Sequence, residues 1–348
     1  MAAGETELTG ERDGVVGSLS VGTSNRAIGL RADMDALDIL EENEFEHRST
    51  IDGKMHACGH DGHTAMLLCA ARYLAETRDF NGTVHFIFQP AEENVAGGRV
   101  MVEEGLFELF PVEAVYGMHN TPGLPIGQFA MQTGPSMAAA DMFFIEITGK
   151  GSHGAHPHQG LDPIVTGAEV VMAFQRIVGR TVNPMDAAVV SVTQFHAGRA
   201  MNVIPETVEI KGTCRAHLPE VQDRIEARME QILKGVCEAH GLTYTLRYER
   251  RYPPLINTAD EIEKAARAAI AVVGAENVDT NLAPTMGAED FAWMLQDLPG
   301  CYIRVGNGEG EDGGCVVHNP NYDFNDDAIV YGASYWATLV EQEFAVDG

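Results

Sequence analysis

At 348 residues the chain is about two ordinary domains long, at roughly 150 residues per domain, and its 45% hydrophobic content supplies buried cores and argues against disorder. Against 23 Lys and Arg stand 51 Asp and Glu, a formal net charge of −28. Such a surface repels phosphate backbones, which sets nucleic acid and anionic membranes aside as partners, and a solubility or salt adaptation explains it more simply than a functional role.

In chain order, Asn25–Arg31 reads as a strand that ends at the acidic cluster Asp33 to Asp38, and His63–Leu74 is rich in Ala, Leu and Met at helical spacing. The turn at Asn81 and Gly82 opens a second strand, Thr83–Phe88, stopped by Pro90. A helix over Gly98–Glu108 leads to a third strand, Ala114–Met118. This alternation predicts an α/β layer with a mostly parallel sheet. From about Asp141 the rhythm changes. A strand Met142–Thr148, a helix Asp162–Val178, strands Ala187–Thr193 and Thr207–Thr213, a helix Glu220–His240 and a strand Leu242–Tyr248 follow in turn. That β-α-β-β-α-β order is the ferredoxin-like unit. After Pro253 and Pro254, a helix Ala259–Val273, a strand Cys301–Val305 and a closing helix Asp326–Phe344 resume the first style. The expectation is therefore a catalytic domain, residues 1–139 and 254–348, with helices flanking its sheet, interrupted by a small α+β domain at 140–253.

No apolar run approaches the ~20 residues that span a bilayer, and the start, Met1 to Glu7, lacks the basic flank and apolar stretch of a secretory signal. The six cysteines (Cys58, Cys69, Cys214, Cys237, Cys301 and Cys315) are scattered, with no paired spacing. Both facts predict a soluble, cytoplasmic protein with reduced thiols.

The densest polar constellation runs from His56 to His63 and holds His56, Cys58, His60, Asp61 and His63 just before an apolar helix. Thiolate and imidazole are donors suited to Zn, Mn, Co or Ni. The alternative for this stretch is a polar helix cap with a buried thiol. A second feature, Glu92 and Glu93, follows the strand ending at Phe88, and ligand sites lie beyond the carboxyl ends of parallel strands. One of two adjacent carboxylates can bind metal while the other serves a water as general base. Alone, the pair is more simply a solvated helix start. His119 follows the third strand, and His318 sits in a loop before the last helix. Four separate stretches supplying Cys, His and Glu favour metal: Cys58, His60, Glu93, His119 and His318 suffice for two divalent ions ~3.5–4 Å apart.

These residues resemble a known family, the aminoacylase and carboxypeptidase-type metallopeptidases, in the amidohydrolase branch with hippurate hydrolases and plant auxin–amino acid conjugate hydrolases. The resemblance runs from Gly14 to the last helix. It rests on Gly29–Leu37, Lys54–Thr64, Gln89–Glu93, Gly149–Pro157, Asn202–Pro205 and Met286–Phe291. It implies a zinc-peptidase-like catalytic domain with an inserted ferredoxin-like lid that also serves as a dimerisation surface, giving a homodimer or higher homo-oligomer. It implies ligand roles for Cys58, His60, Glu93, His119 and His318, the general base at Glu92, an oxyanion donor at His153, and a substrate contact at Asn202. Asp33 matches the family's carboxylate beside the ligands, its alternative being a solvated turn. Arg199 either joins Asn202 on the substrate's carboxylate or is an ordinary surface cation. Members usually carry a helix ahead of the position of Gly14, and Asp38 and Ala288 stand where Pro and Ser are common.

The reaction so implied is metal-dependent hydrolysis of an N-acyl amino acid or short peptide, with two ions drawn from Mn, Zn, Ni or Co. The rivals are a dipeptidase or aminopeptidase, a biosynthetic N-acetyl-diaminopimelate-type deacetylase, and a non-catalytic metal-binding sensor.

Overall fold

The computed structural model of the chain describes residues 7–9, 14–311 and 313–346. The chain divides into two compact units: Met1–Ser136 with Ile256–Pro284 and Asp290–Gly348, and Met137–Leu255 with Thr285–Glu289. The first unit begins with β1 (Glu7–Thr9), β2 (Gly14–Val21), β3 (Ala27–Asp33), α1 (His60–Thr77) and β4 (Gly82–Gln89). It continues through α2 (Glu92–Val95), α3 (Gly97–Glu103), β5 (Ala114–Pro122) and β6 (Phe129–Ala130). The second unit holds β7 (Ala139–Thr148), β8 (Ser152–His153), α4 (Pro163–Thr181), β9 (Ala188–Ala197), β10 (Val203–Ile204), β11 (Thr207–Ala216), α5 (Pro219–His240) and β12 (Thr243–Tyr252). Back in the first unit come α6 (Ala259–Val273), β13 (Val278–Asp279), β14 (Gly300–Gly308) and α7 (Ala328–Glu343).

The large sheet has the order β1-β2-β4-β3-β5-β14-β6-β13, and its centre, β4-β3-β5-β14, is parallel. Every residue of β3 is buried, as expected of a parallel strand covered on both faces. Its apolar members Ile28, Leu30 and Ala32 join the core, while Arg31 and Asp33, near its carboxyl end, are polar and equally buried. Helices α1, α6 and α7 pack together through Leu67, Ala70, Ala265, Ala269, Trp336 and Leu339. The stretch expected as one helix over Gly98–Glu108 is instead two, α3 and a turn at Leu106–Leu109. Gly105, at φ 92°, lies between them in the left-handed region that ends helices.

In the second unit the sheet order β9-β11-β7-β12 is antiparallel throughout, with α4 and α5 packed against it. Strand β7 buries alternate residues, so Phe143, Ile145 and Ile147 face Val170, Phe174, Ile225 and Leu233 while the intervening side chains point away. Asp162 caps α4, its carboxylate accepting from the Ile164 N–H at 2.8 Å, and Pro163 occupies the first helical position. Asp141 at the start of β7 is buried and accepts from Gln222 Nε2 and the Tyr248 hydroxyl, both at 2.7 Å. The segment Thr285–Glu289 belongs to this unit because the His217 ring donates to Thr285 O and the Ala138 N–H to Gly287 O, both at 2.8 Å.

Candidate metal centre

Three strand ends and two loops of the first unit meet at one place. Gly59 precedes α1 at φ 88°, and a Cβ there would lie 2.4 Å from Asn120 Oδ1, so only glycine lets the chain turn tightly enough between Cys58 and His60. His60 then opens α1 and His63 follows one turn later, on the same helix face. Strand β4 ends at Gln89, and Glu92 and Glu93 stand in the first turn beyond it. Strand β5 delivers His119. His318 adopts φ 65°, and its N–H donates to Ala57 O at 2.7 Å, which ties its loop to the Cys58 segment.

The five expected ligands and Glu92 converge. Ligand atoms of Cys58, His60 and His119 lie within 4.8 Å of one another, as do those of Cys58, Glu93 and His318, and those of His60, Glu92 and Glu93. Cys58 is common to the first two groups. Its Sγ is 3.4 Å from His119 Nε2, and His318 Nε2 is 3.0 Å from Glu93 Oε1.

Hydrogen bonds set the imidazole lone pairs. His60 Nδ1 lies 3.1 Å from Asp35 O and 3.2 Å from Asp35 Oδ1, both acceptors, so Nδ1 carries the hydrogen. The other nitrogen, Nε2, is buried without a hydrogen-bond partner. His119 Nδ1 donates to Asn120 O at 2.6 Å, which leaves its Nε2 lone pair facing Cys58. A metal-binding histidine is commonly held in this way, its second nitrogen fixed by an oxygen.

The charges fit a divalent cation. Asp33, Asp35, Glu92, Glu93 and Cys58 crowd one buried region. Burial, then the carboxylates of Glu93, Asp33 and Glu92, push the Cys58 thiol far up. Burial works against a charged His60, yet Asp33, Asp35 and Glu93 hold its pKa at about 9. Burial, His63 and Arg304 keep His119 well below its ordinary value, hence neutral. A cation among these groups would hold the thiol as thiolate and take the place of the extra proton on His60. The residues present thus fit a metal centre.

Asp33 is not on a solvated turn. It is fully buried, 2.5 Å from His63 Nδ1, 2.7 Å from Arg31 Nη1 and 3.8 Å from His60 Nε2. His63 Nε2 accepts the Asn120 N–H at 3.0 Å, and Asn120 Nδ2 lies 2.6 Å from the Tyr322 hydroxyl. In the second unit, β8 and β10 pair His153 with Val203, and Asn202 O accepts the Gly154 N–H at 2.8 Å. His153 Nδ1 accepts from the Ala155 N–H at 3.0 Å, so its exposed ring carries the hydrogen on Nε2. Arg199 lies on an exposed bend.

Sequence reasoning missed Asp35, Arg31, Gln89 and Asp290. Arg31 carried a signal: a lone cation in an apolar strand buried on both faces must find anions. No helix among the described residues is long and apolar enough to cross a membrane.

The model of peptidase family M20/M25/M40 matches residues 29–342. A hippurate hydrolase from Campylobacter jejuni is 38% identical over 328 residues, 94% of this chain and 84% of that protein. An IAA-amino acid hydrolase from Arabidopsis thaliana is 38% identical over 334 residues, 94% and 75% respectively. A crystal structure of a dinuclear metal-binding peptidase of the M20 family from Bacillus subtilis superposes with a TM-score of 0.83 at 31% identity, covering 97% of this chain and 88% of that one. The chain belongs to peptidase family M20/M25/M40 and is a hydrolytic enzyme acting on amide bonds.

Proposed function

We propose that this enzyme is a metal-dependent amidohydrolase that cleaves the amide joining an acyl group to an amino acid. The observation that carries the reading is the convergence of Cys58, His60, Glu93, His119 and His318 around one buried acidic region, with Glu92 beside them. Both named relatives act, by their names, on acylated amino acids.

Cys58, His60, Glu93, His119 and His318 would hold two divalent ions of the Mn, Zn, Ni or Co type. Such ions supply Lewis acidity, bringing the pKa of water from 15.7 toward ~7 and polarising a carbonyl. Glu92 takes the proton from the attacking water and delivers it to the departing amine. Asp35 holds the His60 imidazole with its hydrogen on Nδ1, which leaves Nε2 for a metal, and Asp33 fixes the ring of His63 beside it. His153 is assigned the carbonyl oxygen, and Asn202 with Arg199 the carboxylate of the leaving amino acid. The second unit is assigned as a lid and as the homodimer surface.

Glu92→Gln tests the reading. It should retain the metal content of the native protein by elemental analysis and lose at least ~10³ of turnover. Hydrolysis at a native rate would refute the assignment of the base. A panel of hippurate, N-acetyl amino acids and dipeptides with each of the four metals identifies the acyl preference. Dipeptides as the best substrates would replace the proposed reaction with a peptidase one.

A further inference from the structure

We propose that Asp290 is a positioning residue that fixes Glu92 by clamping both ends of the loop that carries it. The inference rests on Glu92 as the base. Asp290 is fully buried in the first unit, far along the chain from the loop it touches. Its carboxylate accepts from Gln89 Nε2 at 2.8 Å, where β4 ends, and from the Gly98 N–H at 2.7 Å, where α3 begins. Its own backbone N–H reaches Glu92 Oε1 at 3.4 Å. The loop between these two feet contains Ala91 and Ala96, both at φ 55°, a conformation that alanine disfavours and that persists only where surrounding contacts enforce it.

The clamp is itself held. Arg31 Nη2 donates to Asp290 Oδ1 at 2.9 Å, Arg31 Nη1 to Asp33 Oδ2 at 2.7 Å, and Arg31 Nε to Gln89 Oε1 at 2.8 Å. One buried guanidinium therefore joins the carboxyl ends of β3 and β4 to Asp290. These partners all donate to Asp290, through a guanidinium, a side-chain amide and a backbone N–H. An asparagine at this position would set its own NH₂ against at least one of them, whichever way it turned. The clamp thus depends on a carboxylate at residue 290.

The test is Asp290→Asn, alone and combined with Glu92→Gln. A loop shifted by a fraction of an ångström misplaces the base without removing a ligand. The single variant should lose about 30-fold in kcat while KM stays within about twofold and metal content is unchanged. Placed on Glu92→Gln, the same change should lower the residual rate by less than about threefold, because Asp290 acts through Glu92. Gly98→Ala is the second variant, for it keeps every charge. Its Cβ would lie 2.9 Å from Gln89 Oε1 and 3.1 Å from the Asp290 carboxylate, so it pushes on the clamp directly. It should lower kcat about fivefold with native metal content. Native kcat in Gly98→Ala and Asp290→Asn overturns the proposal, as does a loss carried by KM or by metal content, or an equal loss on the Glu92→Gln background. If Glu92→Gln itself hydrolyses at the native rate, the base assignment is what has failed.

Discussion

Replacing Arg31 with methionine tests the electrostatic frame of the first unit. The side chains of Arg31, Asp33 and Asp290 are all 0% exposed, and a guanidinium cannot shed its charge at any accessible pH. Arg31→Met fills a similar volume but leaves two carboxylates in a dry interior, Asp33 with His60 and His63, Asp290 with Gln89 and the Gly98 N–H. Removing one partner of a buried ionic cluster costs about 3–5 kcal/mol. At about 2–4 °C per kcal/mol for a unit of this size, the melting temperature should fall by about 6–20 °C. The pH dependence has a definite sign. Burial raises the Asp33 pKa, but His60, Arg31 and His63 together hold it well below the usual carboxylate range. A depressed carboxylate stabilises the fold above its unfolded pKa and loses that contribution as pH falls through the folded one. The native protein therefore has more to lose on acidification than the variant, so the deficit should be largest at neutral pH and shrink in acid. Scanning calorimetry of both proteins between neutral and acidic pH reads it. A variant melting within about 2 °C of native at pH 7 refutes the argument, because that corresponds to about 1 kcal/mol or less.

Three further changes follow from packing and charge. Gly62→Ala places a Cβ 2.3 Å from the buried Phe324 ring, and overpacking of that kind should cost about 1–3 kcal/mol in urea unfolding. Unchanged stability would show that the ring moves freely. Cys58→Ala should lower the metal content found by elemental analysis, and a full complement would take Cys58 out of the ligand set. Burial raises the Asp141 pKa despite the opposing hydrogen bonds from Tyr248 and Gln222, so its charged form weakens the fold above the ordinary carboxylate range. Asp141→Asn should accordingly raise the melting temperature at pH 7 and leave it unchanged near pH 3. A lower value at pH 7 contradicts this.

Local patterns revealed the parallel centre of the large sheet because its strands are apolar runs that stop at turn residues. They missed β2, where glycine and serine interrupt the run and half-burial blurs the alternation. Helical spacing in the sequence begins at His63 whereas α1 begins at His60, since the first turn is written in metal-donor chemistry and not in helix formers. The expected ligands lie at strand ends or in loops, and each stretch alone has a plain structural alternative, so only their combination points to metal. The Arg31–Asp290 contact joins residues 259 apart, and nothing near either residue in the chain points to the other. Arg31 could be recognised as needing an anion, but which anion is a property of the folded sheet.

Among the described residues four that are not glycine have positive φ, and three of them, Ala91, Ala96 and His318, border the metal-donor cluster. A left-handed conformation costs an L-residue about 1–2 kcal/mol. Selection for heat resistance alone would accordingly drift toward glycine at 91 and 96, where the backbone relaxes at once. The loop that presents the glutamate pair thus carries its strain under restraint, with Asp290 holding its ends at Gln89 and Gly98.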